Sequence, residues 1–193
     1  MSNIYIDLGS HDGDTLRLFA EKYPDAASYK AYCFEPNKMF DHHYKNLACE
    51  HVKAAAWTRD GNIRFYVSEK QTRRSHLGNT VMPMFASVLA KNDKTGLPLI
   101  PRVDFSSWLR KNVTREDLVV CKIDIEGAEY DVLEKVVGDG NLDLIKKLYV
   151  EWHNTRLEGF DNSRHDKLVE TLAAHGCYDP KKILCGCKKI LDV

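Results

Sequence analysis

The chain has 193 residues, 44% of them apolar and 29% charged, which is the composition and length of one globular domain. Lys plus Arg and Asp plus Glu number 28 each, so the formal net charge is zero. That balance argues against a disordered tail, a polybasic arm or a nucleic-acid partner held by counterion release.

Asn3 to Leu8 is a short β-branched apolar run ending in Gly9, a buried strand followed by a turn. Asp12 to Lys22 carries Leu16, Phe19 and Ala20 on one face, a helix that Pro24 ends. Lys30 to Phe34 is a second strand, Lys38 to Leu47 a second helix and His51 to Trp57 a third strand. Ile63 to Val67 alternates, as in a hairpin or an added edge strand. Residues 69–99 are irregular and carry Arg73, Arg74 and His76, with a short helix expected over Val81 to Ala90. A segment this long and irregular inside one domain reads as a substrate loop or lid.

Arg102 to Phe105 resumes as a strand, and Ser106 to Asn112 is a helix. Leu118 to Ile123 is the strongest strand, followed by a helix to about Val137. Lys147 to Trp152 is another strand, and Ser163 to His175 an amphipathic helix capped by Gly176. Cys177 to Leu191 reads as a terminal hairpin with buried thiols rather than a zinc site, because its Cys spacing is not of the C-x₂-C type.

No leader and no long apolar run is visible, so a reduced, cytoplasmic protein without membrane contact is expected. The alternation of strands and helices predicts an α/β fold, a single domain over residues 1–193 with a mostly parallel sheet covered on both faces. Ligands of such sheets bind beyond the carboxyl ends of the strands. Those places hold Asp7-Leu8-Gly9, Glu35 and Asp124-Ile125-Glu126.

The first loop has glycines at 9 and 13, but His11 and Asp14 occupy two positions where a dinucleotide fingerprint needs glycine. Asp7, Asp12 and Asp14 crowd a helix N-terminus that a pyrophosphate needs bare. A cationic ligand fits better, and S-adenosylmethionine carries a sulfonium and an ammonium but no phosphate. The alternative reading is a tight strand-to-helix turn capped by Asp12. Glu35, twenty-two residues after Gly13, can accept both hydroxyls of a ribose. Asp124 and Glu126 share a direction at a strand end with Lys122 deeper in, a costly placement without a purpose.

Ile6-Asp7-Leu8-Gly9 with Gly13 and Thr15, Phe34-Glu35-Pro36-Asn37, Ala54-Ala55-Ala56-Trp57 and Lys122-Ile123-Asp124-Ile125-Glu126-Gly127-Ala128-Glu129 together resemble the FkbM family of S-adenosylmethionine-dependent methyltransferases over about residues 3–155. The resemblance implies a class I methyltransferase fold, a Rossmann-like three-layer sandwich with a seven-stranded sheet ending in an antiparallel hairpin. It also implies O-methylation, commonly of a sugar or polyketide hydroxyl. By position, Asp7, Gly9 and Gly13 would hold the methionine part, with Ser10, His11 and Thr15 completing that loop. Glu35 and Pro36 would meet the ribose, and Ala56 and Trp57 the adenine. Asp124 and Glu126 would face the sulfonium and the acceptor. Ser10-His11 stands where the family usually shows Ala-Asn. Members often carry an N-terminal cover, so residues 69–99, a second subunit or a longer parent chain are expected to supply it here.

Glu151 and His153 lie at the carboxyl end of the strand at 147–152 and share a face. His153 is the first choice for general base, with Asp124, Glu126 and Glu151 beside it. Asp124, Glu151 and His153 holding Mg²⁺ or Mn²⁺ is the alternative. Arg73, Arg74 and His76 are candidates for substrate contact. The expected acceptor is a sugar hydroxyl on a glycan or glycoside. Methylation of an amine or protein side chain, and a non-catalytic interaction module, are the other readings.

Overall fold

The structure is a computed structural model, and it describes residues 1–66, 80–81 and 98–181. In chain order its regular elements are β1 (Asn3–Leu8), α1 (Asp14–Lys22), β2 (Tyr29–Phe34), β3 (Cys49–Val52), β4 (Ala55–Trp57), β5 (Gly61–Arg64) and β6 (Leu99–Asp104). They continue with α2 (Phe105–Asn112), β7 (Leu118–Ile123), α3 (Glu129–Gly138), β8 (Lys147–Val150) and α4 (Asn162–His175).

Five strands form one parallel sheet in the order β3-β2-β1-β7-β8. β1 and β7 lie at its centre, and five of the six residues of each are buried. Their largely apolar sequences are what a strand covered on both faces requires, and the charged exceptions, Asp7 and Lys122, lie near the carboxyl ends. Alternate side chains divide between two cores. Ile4, Ile6 and Leu8 meet α2, α3 and α4 on one face. Tyr5, Cys33 and Val120 meet Leu16 and Phe19 of α1 on the other. The chain runs outward from β1 through β2 to β3, then returns to β7 on the opposite side of β1. That reversal opens a crevice above the carboxyl ends of β1 and β7.

The expected third strand over 51–57 is corrected to two strands in two sheets. β3 ends at Val52, where the Ala54 N–H turns back to the Val52 carbonyl at 2.8 Å, and β4 then leaves the main sheet. β4 pairs parallel with β6, and β5 pairs antiparallel with β6 as an edge strand, in a three-stranded sheet of order β4-β6-β5. The expected α-helix over 38–47 is instead a 3₁₀ segment, Lys38–Asn46. Asp41, His42, His43 and Asn46 are middling to poor helix formers. The segment is anchored by the buried rings of Phe40 and Tyr44 rather than by a regular helical face.

After α4, Gly176 adopts the left-handed cap at φ 85°, and Tyr178 bridges parallel to Leu148 of β8. The remainder of the expected terminal hairpin, with Cys185 and Cys187, and the expected helix over Val81 to Ala90 lie outside the described residues, apart from Val81 itself. Cys33, Cys49, Cys121 and Cys177 are free thiols. Among the described residues, no helix is long and apolar enough to cross a membrane.

Candidate functional site

The loop after β1 is built on a close approach. Gly9 has φ 76°, and a Cβ there would lie 1.8 Å from the Asp124 carbonyl oxygen. Only glycine lets the β1 and β7 loops touch at this point. Gly13 has φ 82° as the N-cap of α1, and a Cβ there would meet Leu47 at 2.5 Å. Gly9→Ala is therefore expected to destabilise the fold by about 2–4 kcal/mol through strain and overlap, read as a lower urea midpoint.

Beneath this loop Asp7 and Lys122 are register partners on β1 and β7. Asp7 is wholly buried, and its Oδ1 lies 3.0 Å from Lys122 Nζ. Burial pushes the Asp7 carboxyl up, and Lys122 pulls it back. Lys122 also donates to the Gly9 carbonyl at 3.0 Å and lies 3.5 Å from Asp124. Asp7, expected to touch the ligand directly, is thus a foundation under the loop and does not line the pocket.

Above the loops an open pocket is lined by Gly9, His11, Glu35, Pro36, Ala56 and Asp124, all expected from sequence. Glu126, singled out for the acceptor side, lines it too, and Phe34, Phe40, Ala55, Phe65, Thr80, Val81, Ile125 and Ala128 complete it. Ser10, Gly13, Thr15 and Trp57 do not line it. Ser10 and Thr15 are buried within the loop's own packing, with Ser10 Oγ 2.7 Å from Tyr44 Oη. Trp57 packs among Ala55, Phe65 and Ile63, so Ala55 and Ala56 form that wall. Arg73, Arg74 and His76 lie outside the described residues.

Glu35 ends β2 with its carboxylate held by two backbone donors, the Asn37 N–H at 2.7 Å and the His11 N–H at 3.0 Å. Burial pushes its pKa up to about 7, against the pull of those two donors. Each oxygen keeps acceptor capacity for a ligand hydroxyl.

At the other end of the pocket, Asp124, Glu126 and His153 each offer an atom within 4.8 Å of the others. His153 Nε2 is 3.5 Å from Glu126, 3.8 Å from Asp124 and 3.9 Å from Glu151. Its Nδ1 is 2.9 Å from Oε1 of the wholly buried Glu129. Burial lowers the imidazole pKa, but the Glu129 hydrogen bond and the charges of Glu129, Glu126 and Asp124 prevail and raise it to about 9. His153 is itself buried and meets the pocket through Asp124 and Glu126. Arg156 closes the outer side, 3.2 Å from Glu126. The structure places Asp124, Glu126, Glu151 and His153 side by side, the group singled out from sequence, and adds Glu129, which the sequence reading gave no role. Its only signal was its place in the charged segment after β7.

The family model of the Methyltransferase FkbM domain matches residues 7–177. No curated protein and no solved structure matches the chain. The match runs from Asp7 beneath the first loop to Cys177 beside β8, and so covers every described residue that lines the pocket. The chain belongs to the FkbM methyltransferase family.

Proposed function

We propose that the protein transfers a methyl group from S-adenosylmethionine to a hydroxyl, that of a sugar in a glycan or glycoside. One observation carries the choice of donor. Among the described residues, the pocket at the switch point is lined by Glu35, Asp124 and Glu126 and by no Lys or Arg. Such a lining suits a sulfonium and an ammonium, and opposes the phosphates of a dinucleotide. Bound there, the donor supplies an electrophilic methyl carbon.

The protein's own residues would supply the rest. Glu35 accepts the ribose hydroxyls, and Ala55 and Ala56 give the adenine a flat apolar wall. Asp124 and Glu126 hold positive charge and orient the acceptor hydroxyl, since alignment supplies much of the rate of a displacement. His153 is the proposed base, reached past Asp124 and Glu126; only its neutral form can take the hydroxyl proton, so turnover should rise as pH climbs toward about 9. The test is transfer of labelled methyl to a panel of glycans. Base-stable label on a sugar supports the reading. Label on amines or protein side chains, or no transfer at all, overturns the hydroxyl assignment.

Asp124, Glu126 and His153 offer three atoms within 4.8 Å of one another, a set that could also hold a divalent cation. With His153 as the base no metal is needed to take the proton, so turnover is expected to survive EDTA. Loss of activity on chelation, restored by Mg²⁺ or Mn²⁺, would show that Asp124, Glu126 and His153 serve a metal instead.

Glu35 makes the donor site pH-dependent. Ribose hydroxyls donate, so the binding form of Glu35 is the carboxylate, present above about 7. Affinity for S-adenosylhomocysteine should rise about tenfold between roughly pH 6 and pH 8, as a single group of that pKa ionises. The unliganded protein should show the opposite sign. The folded pKa of about 7 lies above the ordinary 4.5, so ionisation of Glu35 should cost stability as pH climbs from about 4.5 to about 7. Melting curves of the wild type should carry this slope, and those of Glu35→Gln should lack it.

A further inference from the structure

Glu129 closes the charged segment that follows β7, and the chemistry proposed above leaves it unused. It is the first residue of α3 and is wholly buried. A buried carboxyl group is costly unless its oxygens are engaged. Here both oxygens accept backbone N–H groups, and a ring nitrogen of His153 stands beside one of them. Oε1 accepts from the Ile125 N–H at 3.0 Å and the Gly127 N–H at 3.2 Å, and it faces His153 Nδ1 at 2.9 Å. Oε2 accepts from the Gly127 N–H at 2.9 Å.

One side chain therefore serves two structures that come from different strand ends. The first is the turn at 125–127, in which Glu126 takes the left-handed φ of 54° that only a few non-glycine residues adopt. The second is the ring of His153, which lies 24 residues further along the chain, beyond β8. Filling Oε1 with Nδ1–H leaves Nε2 as the atom that faces Asp124 and Glu126. A histidine's working nitrogen is set by the hydrogen bond its other nitrogen makes.

We infer that Glu129 is the positioning residue of the site: its carboxylate sets the Glu126 turn and the orientation of His153 together, so that the acids after β7 and the imidazole after β8 stay in register. The inference rests on the methyl-transfer reading for its consequence in turnover, but its structural content can be tested without an acceptor.

In Glu129→Gln the amide nitrogen must face either His153 Nδ1 and the Ile125 N–H or the Gly127 N–H, donor against donor in both cases. The experiment uses the full chain. Proton and ¹⁵N NMR of the wild type should show a downfield imidazole proton on Nδ1 that is missing in His153→Ala and in Glu129→Gln and retained in Glu151→Gln. A His153 ring with a bare Nδ1 in the wild type, or a resonance that survives Glu129→Gln, would overturn the inference even if no variant folds well. In turnover, Glu129→Gln should lower kcat roughly ten- to hundredfold, as loss of an orienting partner does elsewhere. Its Kd for S-adenosylhomocysteine should stay within about threefold of the wild type. In a His153→Ala background the same substitution should change kcat by less than about twofold, because residues that act as a unit are not additive. An equal loss in both backgrounds would show that Glu129 acts without His153. If the wild type neither binds S-adenosylhomocysteine nor turns over, the methyl-transfer reading fails, and the NMR result still decides the position of the ring.

Discussion

Lys122→Met should lower the stability of the protein by about 3–5 kcal/mol, the cost of leaving one member of a buried ion pair alone. For a domain of this size that is a fall of roughly 6–20 °C in melting temperature. The loss arises in three places, since Lys122 contacts Asp7, the Gly9 carbonyl and Asp124. Asp7 is the most exposed to the change in energy, because it is wholly buried and its carboxyl is already pushed up by that burial. Replacing both partners with apolar residues, Asp7→Leu with Lys122→Met, should recover most of the stability while leaving the Gly9 loop poorly held. Thermal melts followed by circular dichroism check both arms. A single variant as stable as the wild type would show that the pair is not a foundation of the loop.

Glu35→Ala should weaken S-adenosylhomocysteine binding by roughly 10²–10⁴-fold, the worth of two hydrogen bonds to a charged group at about 1.5–3 kcal/mol each. The fold should tolerate the change. Burial has raised the Glu35 pKa to about 7, so its charge already works against the folded state near neutrality. The two backbone N–H groups it accepts belong to partly exposed residues, His11 and Asn37, where water can take over. Titration calorimetry reads the affinity, and a melting temperature within about 3 °C of the wild type shows that the loss is local. Undiminished affinity in this variant would remove Glu35 from the site.

The parts of this architecture legible in the sequence are those with a local signature. β1 and β7 read directly because each is dominated by apolar residues, as a central parallel strand must be, with one charged residue apiece near its carboxyl end. Gly9 and Glu35 were legible as pocket-lining residues because each follows a strand of the parallel sheet, where the crevice opens. The rest depends on pairings between distant segments. Nothing near Lys53 announces that β4 leaves the main sheet, because its partner is β6, with Ala55 opposite Arg102. The parity of Lys122 with Asp124 and Glu126 was visible, yet its true partner, Asp7, appears only when β1 and β7 are set in register. Asp7 was read as a ligand contact, and its pairing with Lys122 beneath the loop came into view only in the structure. Glu129 was hidden for the same reason. A Glu at the start of a helix looks like an ordinary first-turn acid, and only the β7–β8 pairing brings His153 onto it.

The claim at the centre of this account is that the pocket between the β1, β2 and β7 loops is the site of a sulfonium methyl donor. Titration calorimetry of the full chain with S-adenosylhomocysteine at about pH 8, where Glu35 is ionised, tests it most directly. The account predicts one-site binding that is lost in Glu35→Ala, with no detectable binding of NAD. Binding of NAD in preference to S-adenosylhomocysteine, or no binding of S-adenosylhomocysteine by the wild type, would contradict it.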